Sequence, residues 1–594
     1  MKPDSAIDSP ATPSPSARRL EVVSWGALWV LLAGCLAGAA TFDPASWPSL
    51  AGDEATYLMA AESLAFDFDL RYEIEDHERL RELVESRGGG PESLIVQSTD
   101  GGATLRYSKP PHYPLAVAPW VRFAGHRGAV VFNALLLVVV LLATAWALRS
   151  WIGWRAPCYV LVAAFVGVLP LQVLWLHSDL LLLACVALAY APLVRAASGR
   201  RDSATSLFAD ATAGALLAVV ITARPFYLPL LLPLLPLLAP PAGGGRWRLR
   251  ALALGLGLLF TALAVVGLQQ ALLGSWSSYA APRITVGSAD PLPDAAAWTA
   301  QIEARGSNSW TGTQSLPFGF DLAETRWNVL YLFLGRHVGL FPYFAGALLL
   351  GLLAMRGDRV GWCLAAAFVV VAAAFLVVRP FNFWGGGGAL ANRYLLPALP
   401  ALWFMARRPI HPAWLLAIAA VAAPFLWPAW TQPRSFLLTE QGTYRFASPL
   451  AARLLPYETT QSHLKPSGGE DFVLAGDGGD GGDDLWAKPL SRAVRPRRQG
   501  DANSPVDSLV IDPTVGVARL LVASPRPIAG FSLAASGGSG RRVSVRNGGV
   551  RARHRMWWSA ERLSLYELDL GAALAELDDP SAREFELSWR LARR

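Results

Sequence analysis

Two adjacent carboxylates, Asp53 and Glu54, follow the first long apolar run of the chain, residues 22–42. A run of about 20 apolar residues can span a membrane, so the acid pair lies close to a membrane surface. One carboxylate there can serve as a general base while its neighbour orients the substrate or tunes the pKa. Acids are also common in a first helical turn, and apolar residues recur at helical spacing from Tyr57 to Ala65. The pattern predicts a short helix along the bilayer interface that begins at the acid pair.

Polar side chains also stand beside later apolar runs. Lys109 and His112 lie in the segment Tyr-Ser-Lys-Pro-Pro-His-Tyr-Pro, and His177 and Asp179 lie between two apolar runs. A lysine at a membrane surface can hold a phosphate, and the prolines can equally form a rigid turn. Asp179 can bind substrate or cap the next helix. These four residues are candidates for substrate and phosphate binding, and the role of His112 is open.

Arginines supply further candidates. Arg224 precedes a proline at the end of an apolar run, where a lone arginine can extend to the interface. Arg336 and His337 lie inside a predicted span, and ionisable residues at membrane depth indicate function unless the span begins later. Asn392 and Arg393 follow a run of glycines, which permits close backbone approach to a ligand or forms a flexible loop. A guanidinium such as that of Arg393 can bind a phosphate through two N–H groups.

The composition is that of a membrane protein with an appended domain. The 594 residues are 53% hydrophobic and only 16% charged, which excludes an ordinary soluble protein. All four cysteines fall inside apolar runs, so neither a disulfide framework nor a cysteine metal site is predicted. The net charge of +7 is spread over short loops as arginine, and nothing in the pattern indicates nucleic acid. The acid pair could hold a divalent metal, but no ligand cluster completes such a site, so no metal residue is predicted and no cofactor is certain.

Hydropathy predicts about eleven membrane spans, at 22–42, 128–148, 156–176, 178–195, 208–223, 225–242, 250–273, 328–354, 360–378, 393–406 and 412–430. The short loops that carry arginine all fall on one side if the N-terminus is cytoplasmic. The loops 43–127, 274–327 and 379–392 and the C-terminal tail then face the periplasm. Residues 114–125 are too short to span and predict a second interfacial helix, and the prolines of 225–242 predict a kinked or broken span.

Composition divides the chain into four parts. Residues 1–19 predict a disordered cytoplasmic tail, and residues 20–430 predict the transmembrane domain. Residues 431–505 are rich in Pro, Gly and charge and predict a flexible linker. Short alternating runs over 506–594, with a hairpin signal at Asn547, predict a periplasmic β-sandwich-like domain.

Three segments carry a family resemblance. The segment at Asp53, Gly-Asp-Glu followed by Tyr-Leu and then Ser-Leu-Ala-Phe-Asp-Phe-Asp-Leu, resembles the first periplasmic loop of GT-C glycosyltransferases. This superfamily includes protein O-mannosyltransferases and aminoarabinose transferases. Lys109 with its two prolines resembles a His-Pro-Pro-Leu or Lys-Pro-Pro-Leu element of these enzymes, although His112 stands where Leu is usual. The glycine run and the segment Arg393-Tyr-Leu-Leu-Pro resemble a stretch before a late span.

The resemblance covers residues 20–430 in patches and implies a polytopic α-helical enzyme of the bacterial inner membrane. The implied reaction is inverting attack of an acceptor hydroxyl on the anomeric carbon of a polyprenyl-phosphate sugar, with Asp53 as the base. Arg224 and its proline resemble the Lys-Gly or Arg-Pro found at the corresponding turn of these enzymes, which implies that Arg224 faces the carrier phosphate. The acceptor is an unidentified glycan, lipid or protein, and membrane lipid surrounds the enzyme. The alternatives are a transporter or lipid-carrier flippase, for which the expected inverted repeats are not seen, and a non-catalytic envelope assembly protein.

Overall fold

The computed structural model describes residues 15–44, 50, 52–85, 94–198, 204–238, 247–287, 290–305, 322–378, 390–433, 448–456, 458, 470–477, 485–489, 494–498, 506–511, 519–524, 528–536, 542–545, 564–577 and 584–591. The predictions for the first 14 residues, for the glycine run at 385–388 and for the hairpin at Asn547 lie outside the described residues.

Apolar runs fold into helices for most of the chain. In chain order the described helices are α1 Pro15–Thr41, α2 Gly52–Phe66, α3 Ile74–Glu85, α4 His112–Ala124, α5 Arg127–Ile152, α6 Ala156–Phe165, α7 Ser178–Ala197, α8 Ala204–Ala223, α9 Leu234–Leu238, α10 Trp247–Leu273, α11 Ala295–Arg305, α12 Leu322–Leu334, α13 Leu340–Leu353, α14 Arg359–Val378, α15 Leu399–Met405, α16 Pro412–Thr431, α17 Pro449–Leu454 and α18 Leu570–Leu577. Short 3-10 segments lie at Gly153–Arg155, Leu169–Leu174, Pro225–Leu231 and Arg393–Ala398.

Several of these helices can cross a membrane. Within the described residues, six are long and apolar enough by length and composition: Arg18–Thr41, Arg127–Phe165, Ser178–Ala197, Trp247–Leu273, Arg359–Val378 and Pro412–Thr431. Shorter apolar helices are Leu207–Ala223, Pro225–Leu238 and Leu340–Leu353. The chain is therefore a mostly helical, multi-pass membrane protein. The number of eleven spans and the periplasmic side of the loops stay predictions.

The break predicted within 225–242 is confirmed. A 3-10 segment, Pro225–Leu231, comes first, and the five-residue helix α9 follows it. Pro229 and Pro233 each lack the backbone N–H that a continuous helix needs, so the helix is interrupted here.

The chain divides into two compact units. The first comprises Met1–Gly319, Phe344–Val378 and Arg393–Ala422, and the second comprises Phe320–Tyr343, Arg379–Asn392 and Ala423–Arg594. In the first unit α7 is buried along nearly its whole length and packs against α5 and α8. The N-terminus of α7 is therefore buried inside the unit, together with the polar residues at the start of this helix.

Helix α2 departs from the expected interfacial helix. Its residues are buried without a break from Glu54 to Ser63, and the helix packs against α4. The Thr56 hydroxyl also accepts the backbone N–H of Ile95 at 3.0 Å. The prediction of a single apolar face along the bilayer is therefore wrong. Alanine side chains in this helix are small enough for neighbouring elements to approach it on all sides, which helical periodicity does not reveal.

A small antiparallel sheet in the first unit connects two of the long loops. Its strands are β1 Leu94–Gln97, β2 Arg106–Tyr107 and β3 Arg283–Val286, in the order β2-β1-β3. Leu94 pairs with Val286, and Gln97 pairs with Arg283. The loop after α1 and the loop after α10 therefore meet, which is the arrangement expected if both face the same side of the membrane.

In the second unit, the predicted span 328–354 is interrupted. Helix α12 ends at Leu334 and α13 begins at Leu340, so Arg336 and His337 lie in a turn and not inside a continuous helix. The Glu458 carboxylate accepts the backbone N–H groups of His337 at 2.6 Å and of Val338 at 3.1 Å. The turn lies outside both helices, so its backbone N–H groups need acceptors other than helix carbonyls, and Glu458 provides one. The prediction of one continuous span over 328–354 is therefore wrong.

The C-terminal part of the second unit contains nine described strands in two sheets. They are β4 Glu470–Asp477, β5 Leu485–Pro489, β6 Val494–Arg498, β7 Val506–Ile511, β8 Arg519–Ser524, β9 Ile528–Ser536, β10 Arg542–Val545, β11 Ser564–Asp569 and β12 Glu584–Leu591. One sheet has the order β10-β9-β12-β7-β6, and the other has the order β11-β8-β4-β5. Leu533 and Leu587 of the first sheet, Val522 and Leu568 of the second, and Leu577 of α18 belong to one hydrophobic core. This is the layered arrangement of a β-sandwich.

The linker prediction for 431–505 is wrong at 470–477, 485–489 and 494–498, because each of these segments is a strand. β4 pairs in parallel with β8, and β6 pairs antiparallel with β7. Strand pairing between distant segments decides such an assignment, whereas the glycines and charges in this segment resemble a linker by composition alone.

Candidate functional site

Asp53, at the start of α2, is the centre of a cluster of charged side chains in the first unit. Its Oδ1 forms an ion pair with Lys109 Nζ, and its Oδ2 accepts a hydrogen bond from Arg393 Nη2 at 2.8 Å. His177 Nε2 lies 3.1 Å from the same Oδ2. The three partners are at least nine-tenths buried, whereas the Asp53 side chain is 28% exposed. Asp53 is therefore the carboxylate of the cluster that a substrate can approach.

A second carboxylate, Asp179, lies beside the first. Its Oδ1 pairs with Arg224 Nη1, and its Oδ2 lies 2.7 Å from His177 Nδ1 and 3.8 Å from Arg393 Nε. Asp179 is in the first turn of α7, where the helix dipole favours a negative charge. The alternative that Asp179 caps this helix has no support, because His177 occupies the cap position and makes no side-chain capping bond.

Helix ends and helix breaks bring these groups together. Asp53 begins α2, Asp179 begins α7, and Lys109 precedes α4. Arg224 follows α8 directly, in extended backbone before a proline, and Arg393 begins a 3-10 segment. At each of these points the apolar run stops. The free-energy cost of a charged side chain is therefore lower there than in the middle of a membrane helix.

The charges of the cluster do not cancel. Among the described residues that contact one another here, Lys109, Arg224 and Arg393 are cations, while Asp53 and Asp179 are the ionised carboxylates. Burial acts to raise the pKa of Asp53, but Lys109, Arg393 and His177 together hold it well below its usual range. The cluster therefore has a net charge of +1, which favours the binding of an anionic ligand.

Glu54 differs from its neighbour. It is buried, and its Oε1 accepts the backbone N–H of Leu176 at 3.3 Å. Burial raises the pKa of Glu54 to about 8, against smaller opposing effects from that hydrogen bond and from Arg393. The adjacent acids are thus in different states at neutral pH, with Asp53 ionised and Glu54 mostly protonated.

His112, on the first turn of α4, is close to the end of α8. Its Nε2 lies 3.2 Å from the Thr222 hydroxyl, and burial lowers its pKa to about 4. A ring that is neutral at pH 7 adds no positive charge for a phosphate. His112 can therefore contribute a hydrogen bond to a ligand, but it cannot serve as a cation there.

Aromatic rings enclose the charged groups, and the sequence analysis did not select them. The Arg224 guanidinium lies 4.4 Å from the Tyr394 ring centre, and the Arg393 guanidinium lies 5.0 Å from that of Trp175. Tyr57 packs edge-on against His177 at 4.8 Å. Such rings support cations without competing for the hydrogen bonds that a ligand would use. In the sequence, the one feature that could have identified these aromatic residues is their position close to the candidate charged residues.

The remaining candidates, Arg336, His337 and Asn392, belong to the second unit. His337 Nδ1 lies 3.0 Å from Glu458 Oε2, and the His337 carbonyl accepts the backbone N–H of Ala391 at 2.7 Å. Burial lowers the pKa of His337. These contacts stabilise the turn between α12 and α13, and they account for His337 in structural terms.

A metal centre of the usual kind was not found. The described residues contain no group of three or more His, Cys, Asp or Glu side chains arranged to hold a metal ion. At the charged cluster, lysine and arginine occupy the space around both carboxylates, and these side chains are not metal ligands.

Comparison with known proteins gives one weak similarity. No protein family and no curated protein matches the chain. A crystal structure of ArnT from Cupriavidus metallidurans bound to undecaprenyl phosphate is similar over 69% of this chain and 64% of that chain, with a TM-score of 0.41 and 16% sequence identity. The chain thus matches less than two thirds of that protein's length. A similarity of this size does not establish a shared fold or a shared activity.

Proposed function

We propose that this chain is a GT-C-like glycosyltransferase that moves a sugar from a polyprenyl-phosphate carrier to an acceptor hydroxyl. The observation that carries the proposal is the cluster in which Lys109, Arg224 and Arg393 surround two carboxylates and leave a positive charge over. A polyprenyl phosphate offers one or two negative charges beside an apolar tail, so it matches a buried cationic site in a membrane protein.

Asp53 is the proton acceptor in this proposal. It removes the proton of the acceptor hydroxyl as the oxygen bonds to the anomeric carbon, and the carbon–oxygen bond to phosphate breaks with its electron pair on the phosphate. The three cations stabilise the charge that develops on the departing phosphate. A single displacement of this kind inverts the anomeric centre.

The cations also regulate the basicity of Asp53. With Lys109 and Arg393 on its two oxygens, the pKa of Asp53 lies well below its usual range, and the carboxylate is a weak base. A phosphate that binds these side chains shares their charge, so the pKa of Asp53 rises and its basicity increases. The base would thus become effective only when the donor is present.

The proposal places the site on the periplasmic face of a bacterial inner membrane, with a cytoplasmic N-terminus and a periplasmic C-terminus. Its support is the arginine distribution over the short loops and the β1–β3 pairing of two long loops.

The test has a binding part and a transfer part. Purified protein in lipid nanodiscs is incubated with radiolabelled polyprenyl-phosphate sugars and with a membrane extract as the acceptor source, and transfer to the extract is measured. Arg393→Ala should weaken polyprenyl phosphate binding by roughly 10-fold or more, since a charge-assisted contact contributes about 1.5–3 kcal/mol. Arg195→Ala, a change of the same residue type at the other end of α7, is the matched control and should leave binding unchanged.

The alternative functions give different results in the same system. A lipid-carrier flippase moves the carrier between leaflets without any transfer of sugar. An assembly protein without catalytic activity does neither. Absence of both binding and transfer with the wild-type protein would contradict the proposed function.

A further inference from the structure

Two arginines meet in the first unit, beside the starts of α14 and α16. Arg356 lies between α13 and α14, and Arg407 lies between α15 and α16. Met355 pairs with Ala406 in an isolated β-bridge, so the backbones that carry the two arginines run side by side. This pairing brings together two positive charges that are far apart in the chain and that lie away from the Asp53 cluster.

The two guanidinium groups share one aromatic ring and one carboxylate. The guanidinium of Arg407 lies 4.6 Å from the Trp151 ring centre, and that of Arg356 lies 5.2 Å from it. Arg407 Nη2 forms an ion pair with Asp358 Oδ1, and Arg356 Nε lies 3.4 Å from Asp358 Oδ2. Two cations therefore meet one carboxylate among the described residues in contact here. The resulting net charge of +1 attracts an anion.

Arg407 has more N–H groups than the protein has acceptors for them. Its side chain is fully buried, and no described residue accepts a hydrogen bond from its Nε or Nη1. Burial lowers the pKa of Arg407, and Arg356 acts in the same direction, while Asp358 opposes both. A buried cation with unsatisfied N–H groups is costly, so one carboxylate does not fully compensate the pair of arginines. A further negative charge nearby would lower this cost.

Arg356 is the member of the pair that a ligand can reach. Its side chain is 49% exposed, and its ion pair with Asp358 uses Nε. Within the described part of the chain, no hydrogen bond involves its two terminal nitrogens. These nitrogens form the planar fork with which a guanidinium binds two oxygens of a phosphate. A phosphate bound there would lie at the surface, with the buried charge of Arg407 close by.

Exposed tryptophans indicate where the phosphate comes from. Trp362, in the first turn of α14, is 63% exposed, and Trp414, in the first turn of α16, is 53% exposed. Tryptophan at helix ends is typical of the membrane–water interface, where lipid phosphates also lie. The proposed topology makes this the cytoplasmic face, on which basic residues attract anionic phospholipids. A lipid headgroup is therefore a better match than a phosphate from solution.

We propose that Arg356, supported by the buried charge of Arg407, binds a phosphate group, and that this group belongs to the headgroup of an anionic phospholipid. The bound headgroup provides the negative charge that Asp358 alone does not supply. The site shares no residue with the Asp53 cluster and requires no sugar transfer. It therefore stands or fails separately from the proposed function.

The test titrates the purified full-length protein, in micelles of a neutral detergent, with phosphatidylglycerol, phosphatidylcholine and inorganic phosphate, and calorimetry gives each Kd. Phosphatidylglycerol should bind more tightly than phosphatidylcholine, because only the former carries a net negative charge. Arg356→Gln should weaken phosphatidylglycerol binding by roughly 10-fold or more, since charge-assisted hydrogen bonds are lost. Arg356→Lys keeps the charge without the fork and should restore only part of the affinity.

Arg149→Gln is the matched control. Arg149 is also exposed, at the end of α5, but it already forms an ion pair with Glu21 at 2.9 Å. Either substitution lowers the net charge by the same amount, so only a specific site makes the Arg356 variant the weaker binder. Equal weakening in the two variants would reduce the effect to general surface charge and overturn the site.

Two further results would also overturn the site: wild-type affinity in Arg356→Gln, or a wild-type protein that does not prefer phosphatidylglycerol to phosphatidylcholine. Competition between ligands identifies the source of the phosphate. If inorganic phosphate displaces phosphatidylglycerol at equal concentration, the site takes phosphate from solution and the lipid assignment is wrong. Retention of the lipid under that condition supports the headgroup as the ligand.

Discussion

Glu54→Gln should remove a pH-dependent loss of stability. Burial raises the pKa of Glu54 from 4.5 to about 8 in the folded protein. Below pH 4.5 the carboxyl is protonated in both the folded and the unfolded chain, so it favours neither. Between pH 4.5 and pH 8 the unfolded chain gives up this proton while the folded protein keeps it. The free energy of unfolding therefore falls as the pH rises through this window.

The size of the effect follows from the pKa difference. Each pH unit inside the window costs about 1.4 kcal/mol, so the contribution of Glu54 changes by roughly 2–3 kcal/mol between pH 6 and pH 8. Glutamine has nearly the same shape, can still accept the backbone N–H of Leu176, and does not titrate. The variant should thus be close to the wild type at pH 5 and more stable than it by about that amount at pH 8.

Equilibrium unfolding in mixed micelles, followed by tryptophan fluorescence from pH 5 to pH 8.5, measures the difference. The exposed Glu82 on α3 supplies the matched control, because Glu82→Gln makes the same chemical change at a surface position. If the difference in the free energy of unfolding between the wild type and Glu54→Gln is constant over this pH range, Glu54 is not protonated at neutral pH in the folded protein. The two adjacent acids would then not differ in protonation state.

Asp53→Asn keeps the shape of the base but cannot take a proton, so turnover should fall by roughly 10²–10⁴-fold while polyprenyl phosphate still binds. An active variant would instead support a helix-start role, since Asn also suits that position. Glu458→Ala leaves two backbone N–H groups and the His337 ring without their acceptor, so it should lower the free energy of unfolding by about 3 kcal/mol or more. Glu458→Gln keeps an acceptor oxygen and should lower it by less. Equal losses in the two variants would contradict the hydrogen-bond account. Cysteines introduced at Ser86 and Ser536 should both be labelled from the periplasmic side of intact cells, and labelling from opposite sides would reject the proposed topology.

The fold could be predicted where local pattern determines it. Apolar runs such as α10 and α14 are long enough that only a membrane helix suits them, and the prolines within 225–242 break that helix by chain chemistry alone. The alternating runs beyond residue 506 likewise match strands β7 to β10. Where the local signal is ambiguous the predictions failed, as in alanine-rich α2 and in the glycine-rich stretch that contains β4.

The positions of the charged residues were visible in the sequence, but their partners were not. Each lies where an apolar run stops, because a charge in the middle of a membrane is costly. Hydropathy alone therefore places Asp53, Lys109, Arg224 and Arg393 at helix ends. Only the packing of the helices decided which ends meet. Arg393 contacts a carboxylate 340 residues earlier in the chain, and no local periodicity encodes a contact at that separation. The same packing buries one acid of the adjacent pair against a backbone N–H and surrounds the other with cations, and the pKa values of the two carboxyls diverge for that reason.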